Sequence, residues 1–348
     1  LSNTRISIYL ENDLISHLKS LKYMSLSNCN IIRSDLALLG NLTQLTYLDL
    51  SSNNFIGEIP LSIRNNTLSN LKYLLLYDNL FNGTIPSFLF ALPSLKSLNL
   101  HNNNLIGNIS EFQHDSLVYL DLSNNYLHGT IPSSIFKQEN LEAVILVSNS
   151  KLTGEISSSI CKLRLLEVLD LSNNNLSGSV PLCLGNFSSK LSVLHLGMNN
   201  LQGTIPSTFS KGNSLEYLDL NGNELEGEIS PSIINCTMLE VLDLDLSNNN
   251  FSSQIPSSLG NLVQLRYLNL FSNKFMGQVP DSLGSLVNLS DLDLSNNQLV
   301  GPIHSQLNTL SNLKSLYLSN NLFNETILSF LFALPSLYYL NLHNNNFI

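Results

Sequence analysis

Residues 265–288 read LRYLNLFSNKFMGQVPDSLGSLVN, and the first nine of them decide the fold. Leu265, Leu268 and Leu270 alternate with polar or aromatic residues up to Asn273, the spacing of a short strand with one buried face. The same Leu-x-Leu element returns at Leu26, Leu50, Leu76, Leu100, Leu122, Leu146, Leu171, Leu196, Leu220, Leu246, Leu294, Leu318 and Leu342, mostly 24 residues apart and never fewer than 22 or more than 26. One such turn cannot bury its own leucines, whereas stacked turns share a continuous core. The reading is an α/β-type solenoid, a right-handed coil. A parallel β-sheet lines its concave face, and short 3₁₀ turns and loops lie on the convex side. It spans residues 1–348 as a single domain of about 14 coils with no linker.

Two further columns support this period. Asn stands three residues after the second leucine at Asn53, Asn79, Asn103, Asn125, Asn149, Asn174, Asn199, Asn223, Asn249, Asn273, Asn297, Asn321 and Asn345, with Cys29 as the exception. An inward amide carries donors and acceptors, so it can satisfy backbone groups where the chain leaves the strand. An apolar residue and Gly-x-Ile-Pro follow, as GEIP at 57–60, GTIP at 83–86 and GQVP at 277–280. Gly allows the bend. Pro, with a fixed φ and no donor, suits a short edge-like segment or the start of a 3₁₀ turn. Ser110, Ser157, Ser230, His304 and Leu328 replace the Pro, and Ser253 replaces one Gly.

Charged residues are only 12% of the chain and the formal net charge is −10, which disfavours nucleic acid and anionic membrane as partners. The four cysteines (Cys29, Cys161, Cys183, Cys236) show no metal spacing. Cys236 takes a leucine-type position, and a Cys161–Cys183 disulfide is left open. The seven histidines are scattered, and no P-loop, GxSxG, HExxH or kinase signature occurs. The expectation is a binding scaffold with no catalytic residue, metal or cofactor. No charged-then-apolar leader begins at Leu1, and no run of about 18 apolar residues could span a membrane.

The LxGxIPxxLxxLxxL pattern, and stretches such as LDLSSNNFIGEIP and LDLSNNNLSGSVPLCLGNFS, resemble the plant extracellular class of leucine-rich repeats, most closely receptor-like proteins of the disease-resistance type. The resemblance covers essentially the whole chain. It implies a secreted, glycosylated ectodomain at the outer face of the plasma membrane, binding a peptide or protein and working with a co-receptor kinase. The alternatives are a secreted inhibitor of cell-wall polygalacturonases and the ectodomain of a leucine-rich-repeat receptor kinase. The chain departs from the family in having no cysteine-paired cap, no Trp and no island loop.

Residues 1–4 resemble the end of an incomplete coil, and Ile348 follows soon after the last ladder Asn. Uncapped core leucines at both ends predict a fragment cut from a longer array. Leu242-Asp243-Leu244-Asp245-Leu246 carries two extra residues, which preserve inside/outside parity and predict a longer strand or a bulge. Residues 70–106 and 312–348 agree at 28 of 37 positions, as a duplication would leave them.

The non-leucine strand positions face solvent on the concave side. Asp49, Asp121, Asp170, Asp219, Asp243 and Asp293 read as one column, and Tyr23, Tyr47, Tyr73, Tyr119, Tyr217, Tyr267 and Tyr339 as the next. Repeat-generated ladders account for most of these. Candidate ligand contacts are Tyr73, Leu75, Tyr77, Asp78, Ile145, Val147, His195, Met198, Tyr267, Phe271 and Tyr317, most of them aromatic or apolar departures on a polar face. Sequons for N-glycosylation stand at Asn41, Asn65, Asn82, Asn108, Asn175, Asn186, Asn235, Asn250, Asn288 and Asn324.

Overall fold

The computed structural model describes residues 18–31, 36–60, 68–186, 189–236, 243–324 and 329–348. The chain forms two compact units, residues 1–175 and 176–348. In each, the leucine pattern becomes a stack of coils, every coil giving one three-residue strand to a first parallel sheet. In unit 1 these strands are Tyr23–Ser25, Tyr47–Asp49, Tyr73–Leu75, Ser97–Asn99, Tyr119–Asp121, Ala143–Ile145 and Val168–Asp170. In unit 2 they are Val193–His195, Tyr217–Asp219, Asp243–Asp245, Tyr267–Asn269, Asp291–Asp293, Ser315–Tyr317 and Tyr339–Asn341. Neighbours pair in chain order and in register, as in Tyr73↔Ser97 and Leu74↔Leu98. The central residue of each strand, a leucine except for Met24 and Val144, points inward, and Leu98, Leu120, Leu169, Leu268 and Leu292 are fully buried.

The residues from the ladder Asn to the Gly of Gly-x-Ile-Pro form a second parallel sheet, where the sequence alone suggested only a bend and an edge-like segment. Its strands include Ile56–Glu58, Leu80–Thr84, Asn104–Asn108, Tyr126–Thr130 and Lys151–Glu155 in unit 1. Unit 2 has Asn200–Gly203, Glu224–Gly227, Asn250–Gln254, Lys274–Gly277, Gln298–Gly301 and Leu322–Phe323. The glycine closing this segment lies at positive φ, +71° at Gly83 and +79° at Gly277, and Ser253 adopts +79° in the coil that lacks it. A residue with a Cβ is strained there. Pro86, Pro181, Pro256 and Pro280 then precede short 3₁₀ helices.

The ladder asparagines tie coil to coil. Asn273 Nδ2 donates to Leu270 O and Phe271 O in its own coil and to Leu246 O in the coil before, while its Oδ1 accepts from Phe251 N. Asn103 does the same with Leu100, His101, Leu76 and Phe81. The residue before each ladder Asn is left-handed: Ser52, Asp78, Asn102, Asn124, Asn173, Met198, Asn248 and Asn296 all lie at φ between 52° and 55°. This geometry explains why Asn, Ser and Gly dominate that position.

At the irregular coil, strand Asp243–Asp245 is three residues long like its neighbours and pairs Asp219↔Asp245, Asp243↔Tyr267 and Asp245↔Asn269. The described part of the strand therefore matches its neighbours in length. The extra residues fall between Cys236 and Asp243, a stretch outside the described residues. Register also corrects the aspartate column: Asp245 belongs to it, and Asp243 stands in the tyrosine column.

Cys29 and Cys236 are buried thiols, and burial raises both above the usual thiol range, Cys236 to about 11. Cys161 and Cys183 are disulfide-bonded.

Candidate functional site

The outward face of the first sheet is built from the residues flanking each buried leucine. Where the coil keeps Asp-x-Ser, the aspartate is spent locally. Asp121 Oδ1 accepts from Ser123 N at 3.0 Å and Ser123 Oγ at 2.6 Å, and Asp49 and Asp170 repeat the pattern. Asn99, Asn269 and Asn341 replace the carboxylate with an amide oxygen that accepts from the same i+2 N–H. Asp293 is bonded the same way to Ser295, yet burial raises its carboxyl above the usual range. These columns are turn-forming devices with little left to offer a ligand.

The tyrosines pack on one another. Tyr23 and Tyr47 stack at 4.2 Å, with Tyr73 next at 5.8 Å. Tyr119 Oη donates to Asp121 Oδ2, and burial together with that carboxylate pushes the phenol up to about 12.

A coil in unit 1 keeps Tyr73 in the tyrosine column but loses Asp-x-Ser. Leu75 stands where aspartate would, so no carboxylate folds back on the turn. Tyr77 stacks on His101 of the next coil, centroids 4.7 Å apart and planes 17° from parallel. Asp78 Oδ1 accepts from Asn102 Nδ2 at 2.7 Å and lies 3.6 Å from His101 Nε2. His101 Nδ1 is 3.2 Å from Asp121 Oδ2. Tyr77 and Asp78 are thus brought together around His101, with Tyr73 and Leu75 on the strand of the same coil; Tyr73 is exposed and the others are half-buried. Sequence reasoning missed His101, which organises the cluster. It stands 24 residues after Tyr77, one repeat on, and that register could have revealed it.

The remaining candidates are spread along the face. Ile145 and Val147 are half-buried three strands further along unit 1. In unit 2, His195 packs against Tyr217 at 4.1 Å, and Met198 is 57% exposed. Met198 lies over Gly222, where an added Cβ would meet its sulfur at 2.6 Å. Tyr267 lines a polar cleft of about 510 Å³ with Arg266, Ser290, Asp291 and Lys314. Phe271 is half-buried, and Tyr317 packs against Tyr339 at 4.7 Å.

The sequons fall elsewhere. Asn82, Asn108, Asn175 and Asn250 are on second-sheet strands, and Asn324 directly follows one. Asn41, Asn186, Asn235 and Asn288 sit at or just after 3₁₀ segments, with the amides of Asn235 and Asn288 donating to Phe209 O and Val263 O. Asn65 lies outside the described residues.

The duplicated segments act as an internal comparison. Their nine differences are Tyr73/Ser315, Leu75/Tyr317, Tyr77/Ser319, Asp78/Asn320, Gly83/Glu325, Pro86/Leu328, Lys96/Tyr338, Ser97/Tyr339 and Leu105/Phe347. Six of the nine (73, 75, 77, 78, 96 and 97) lie on the outward first-sheet face or directly before its strands. Nearly all core and 3₁₀ positions are unchanged, and SFLFA forms a 3₁₀ helix in both copies. Most of the differences thus fall on one face, while Glu325 and Leu328 lie outside the described residues.

The leucine-rich repeat region family matches residues 145–347, and shorter leucine-rich-repeat families match 19–63, 70–92, 94–114 and 116–138. Among curated relatives, Receptor like protein 28 of Arabidopsis thaliana is 36% identical over 116 residues, which is 27% of this chain and 15% of that protein. Receptor-like protein 39 of the same plant is 34% identical over 122 residues, 28% and 14% of the two chains. The chain therefore spans about one seventh of the length of these relatives. Among solved structures, the plant peptide hormone receptor RGFR1 in complex with RGF2 has a TM-score of 0.86 at 30% identity, over 97% of this chain and 53% of that one. PEPR1–AtPEP1 has a TM-score of 0.85 at 34% identity, over 97% and 50%. The Arabidopsis receptor kinase HAESA with the peptide hormone IDA and the co-receptor SERK1 has a TM-score of 0.64 at 28% identity, over 98% and 70%. The family match over more than half the chain agrees with the two ladders built coil by coil. The chain belongs to the leucine-rich-repeat family, and over part of its length it is similar to plant receptor-like proteins.

Proposed function

We propose that this chain is part of the ligand-recognition ectodomain of a cell-surface receptor-like protein. It holds a peptide or protein segment on the first-sheet face and signals through a co-receptor kinase. The observation that carries the reading is the distribution of differences between the duplicated segments. Six outward positions changed while the scaffold beneath them stayed, which is the pattern expected where a partner is contacted. Tyr73, Leu75 and Tyr77 supply aromatic and apolar area on rigid backbone, a combination suited to recognition. The relatives add weight, since several are receptor-like proteins and several solved neighbours hold peptide hormones. Disulfide-bonded Cys161 and Cys183 fit an oxidising, extracellular compartment. Most described sequons lie on the second sheet or the 3₁₀ side, away from the first-sheet face, whereas Asn288 lines the cleft of Tyr267.

The test is the pair Tyr77→Ser and Phe271→Ser, measured by calorimetry against a demonstrated partner. Both side chains are outward, so the thermal midpoint should hold while affinity falls about tenfold or more, roughly 1.4 kcal/mol. Unchanged affinity in both variants contradicts recognition on this face.

A further inference from the structure

The residue immediately before each first-sheet strand forms a column of its own. In unit 1 it runs Lys22, Thr46, Lys72, Lys96, Val118, Glu142 and Glu167. The backbone fixes the column. Thr46 N donates to Lys22 O, Lys72 N to Thr46 O, Lys96 N to Lys72 O, Val118 N to Lys96 O, Glu142 N to Val118 O and Glu167 N to Glu142 O, all at 2.7–2.8 Å. Lys22, Lys72, Lys96 and Glu142 are exposed, and none of the four takes part in an ion pair among the described residues. Hydrogen-bonded neighbours stand about 4.8 Å apart, and like charges placed side by side there are mildly destabilising. Alternating signs would have served stability. Here two lysines adjoin, a valine intervenes, and glutamates follow. The blocks of like charge serve something outside the chain.

Resting on the recognition role argued above, we propose that unit 1 selects an extended peptide segment carrying an acidic and a basic side chain about four residues apart. Lys72 and Lys96 hold the acid, and Glu142 holds the base. The spacing follows from the scaffold. Three coils separate Lys72 from Glu142, about 14 Å, and an extended segment advances about 3.3 Å per residue. Side chains i and i+4 of such a segment share a face. Val118, with Tyr119 following it in the strand, stands between Lys96 and Glu142 along this track, so the residues between the two charges meet an apolar and aromatic surface.

The test is a displayed library of random dodecapeptides, selected at low salt against the immobilised 348-residue chain and sequenced before and after. An acid–base pair at i and i+4 should be enriched tenfold or more over the starting library. The double variant Lys72→Glu, Lys96→Glu should shift selection to segments with two basic residues at that spacing, and Glu142→Lys to two acidic ones. Circular dichroism checks that these exposed substitutions leave the fold intact. Selection without such pairs, no selection at all, or selection indifferent to both charge reversals overturns the proposal. A parallel selection on Tyr77→Ser separates the two levels. Peptides lost there but indifferent to charge reversal leave the face standing and remove the charge code, and peptides indifferent to every variant remove both.

Discussion

Asn273 shows how much of this protein rests on one amide. Its three donated bonds and one accepted bond join two coils in a buried setting. Asn273→Ala would strand the N–H of Phe251 and leave the carbonyls of Leu246 and Leu270 to the amides of Asn249 and Asn297 alone, at a cost of about 2 kcal/mol by the usual penalty for an unpaired buried group. Urea unfolding followed by circular dichroism measures this, and a loss below about 1 kcal/mol would show that water replaces the amide. The ladder was readable in the sequence because thirteen asparagines share one register. The left-handed residue before each of them was not, since Ser52, Asp78 and Met198 share a backbone conformation and no chemistry. His101 escaped for a related reason: its importance lies in the partners Tyr77, Asp78 and Asp121, which come from the coils on either side of its own.

At the level of elements, the leucine alternation identified the first sheet, but the second sheet was hidden. Its strands carry no clear apolar alternation, as in Asn250–Gln254, NFSSQ. They form because stacking brings one coil's Gly-x-Ile segment beside the next. The 3₁₀ side is packed just as closely. A Cβ at Gly260 would overlap the carbonyl oxygen of Ser282, and one at Gly284 that of Gln306. Gly260 has no positive φ to explain it, so the close approach of the neighbouring backbone does. Gly260→Ala should therefore cost about 2–3 kcal/mol through forced displacement of the Ser257–Asn261 and Asp281–Ser285 helices. The measurement is the same unfolding midpoint, and an unchanged value would mean that the coils separate without penalty. The irregular strand makes a complementary point. Parity predicted that its faces would survive the two-residue insertion, and register shows Leu244 still paired with Leu218 and Leu268. Which aspartate belonged to the column depended on pairing that sequence counting could not see.

For the whole molecule, the repeat specifies the scaffold so strongly that function can be read only from departures. A pattern that recurs from coil to coil, such as Asp-x-Ser, is explained by its own turn. Leu75, Tyr77 and Asp78 are not explained in that way, and neither is the charge order of Lys72, Lys96 and Glu142. The duplicated segments allow this contrast to be tested within one chain. Residues 70–106 can be given the second copy's face through Tyr73→Ser, Leu75→Tyr, Tyr77→Ser, Asp78→Asn, Lys96→Tyr and Ser97→Tyr, each a residue already carried by the same scaffold at 312–348. The most direct measurement is the affinity of this six-site variant for a partner that binds the wild-type chain, taken with its thermal midpoint. We expect the midpoint to stay within a few degrees, since ordinary surface substitutions change stability by less than about 0.5 kcal/mol each, and the affinity to fall at least a hundredfold. A folded variant that binds its partner as tightly as wild type would contradict recognition on the first-sheet face.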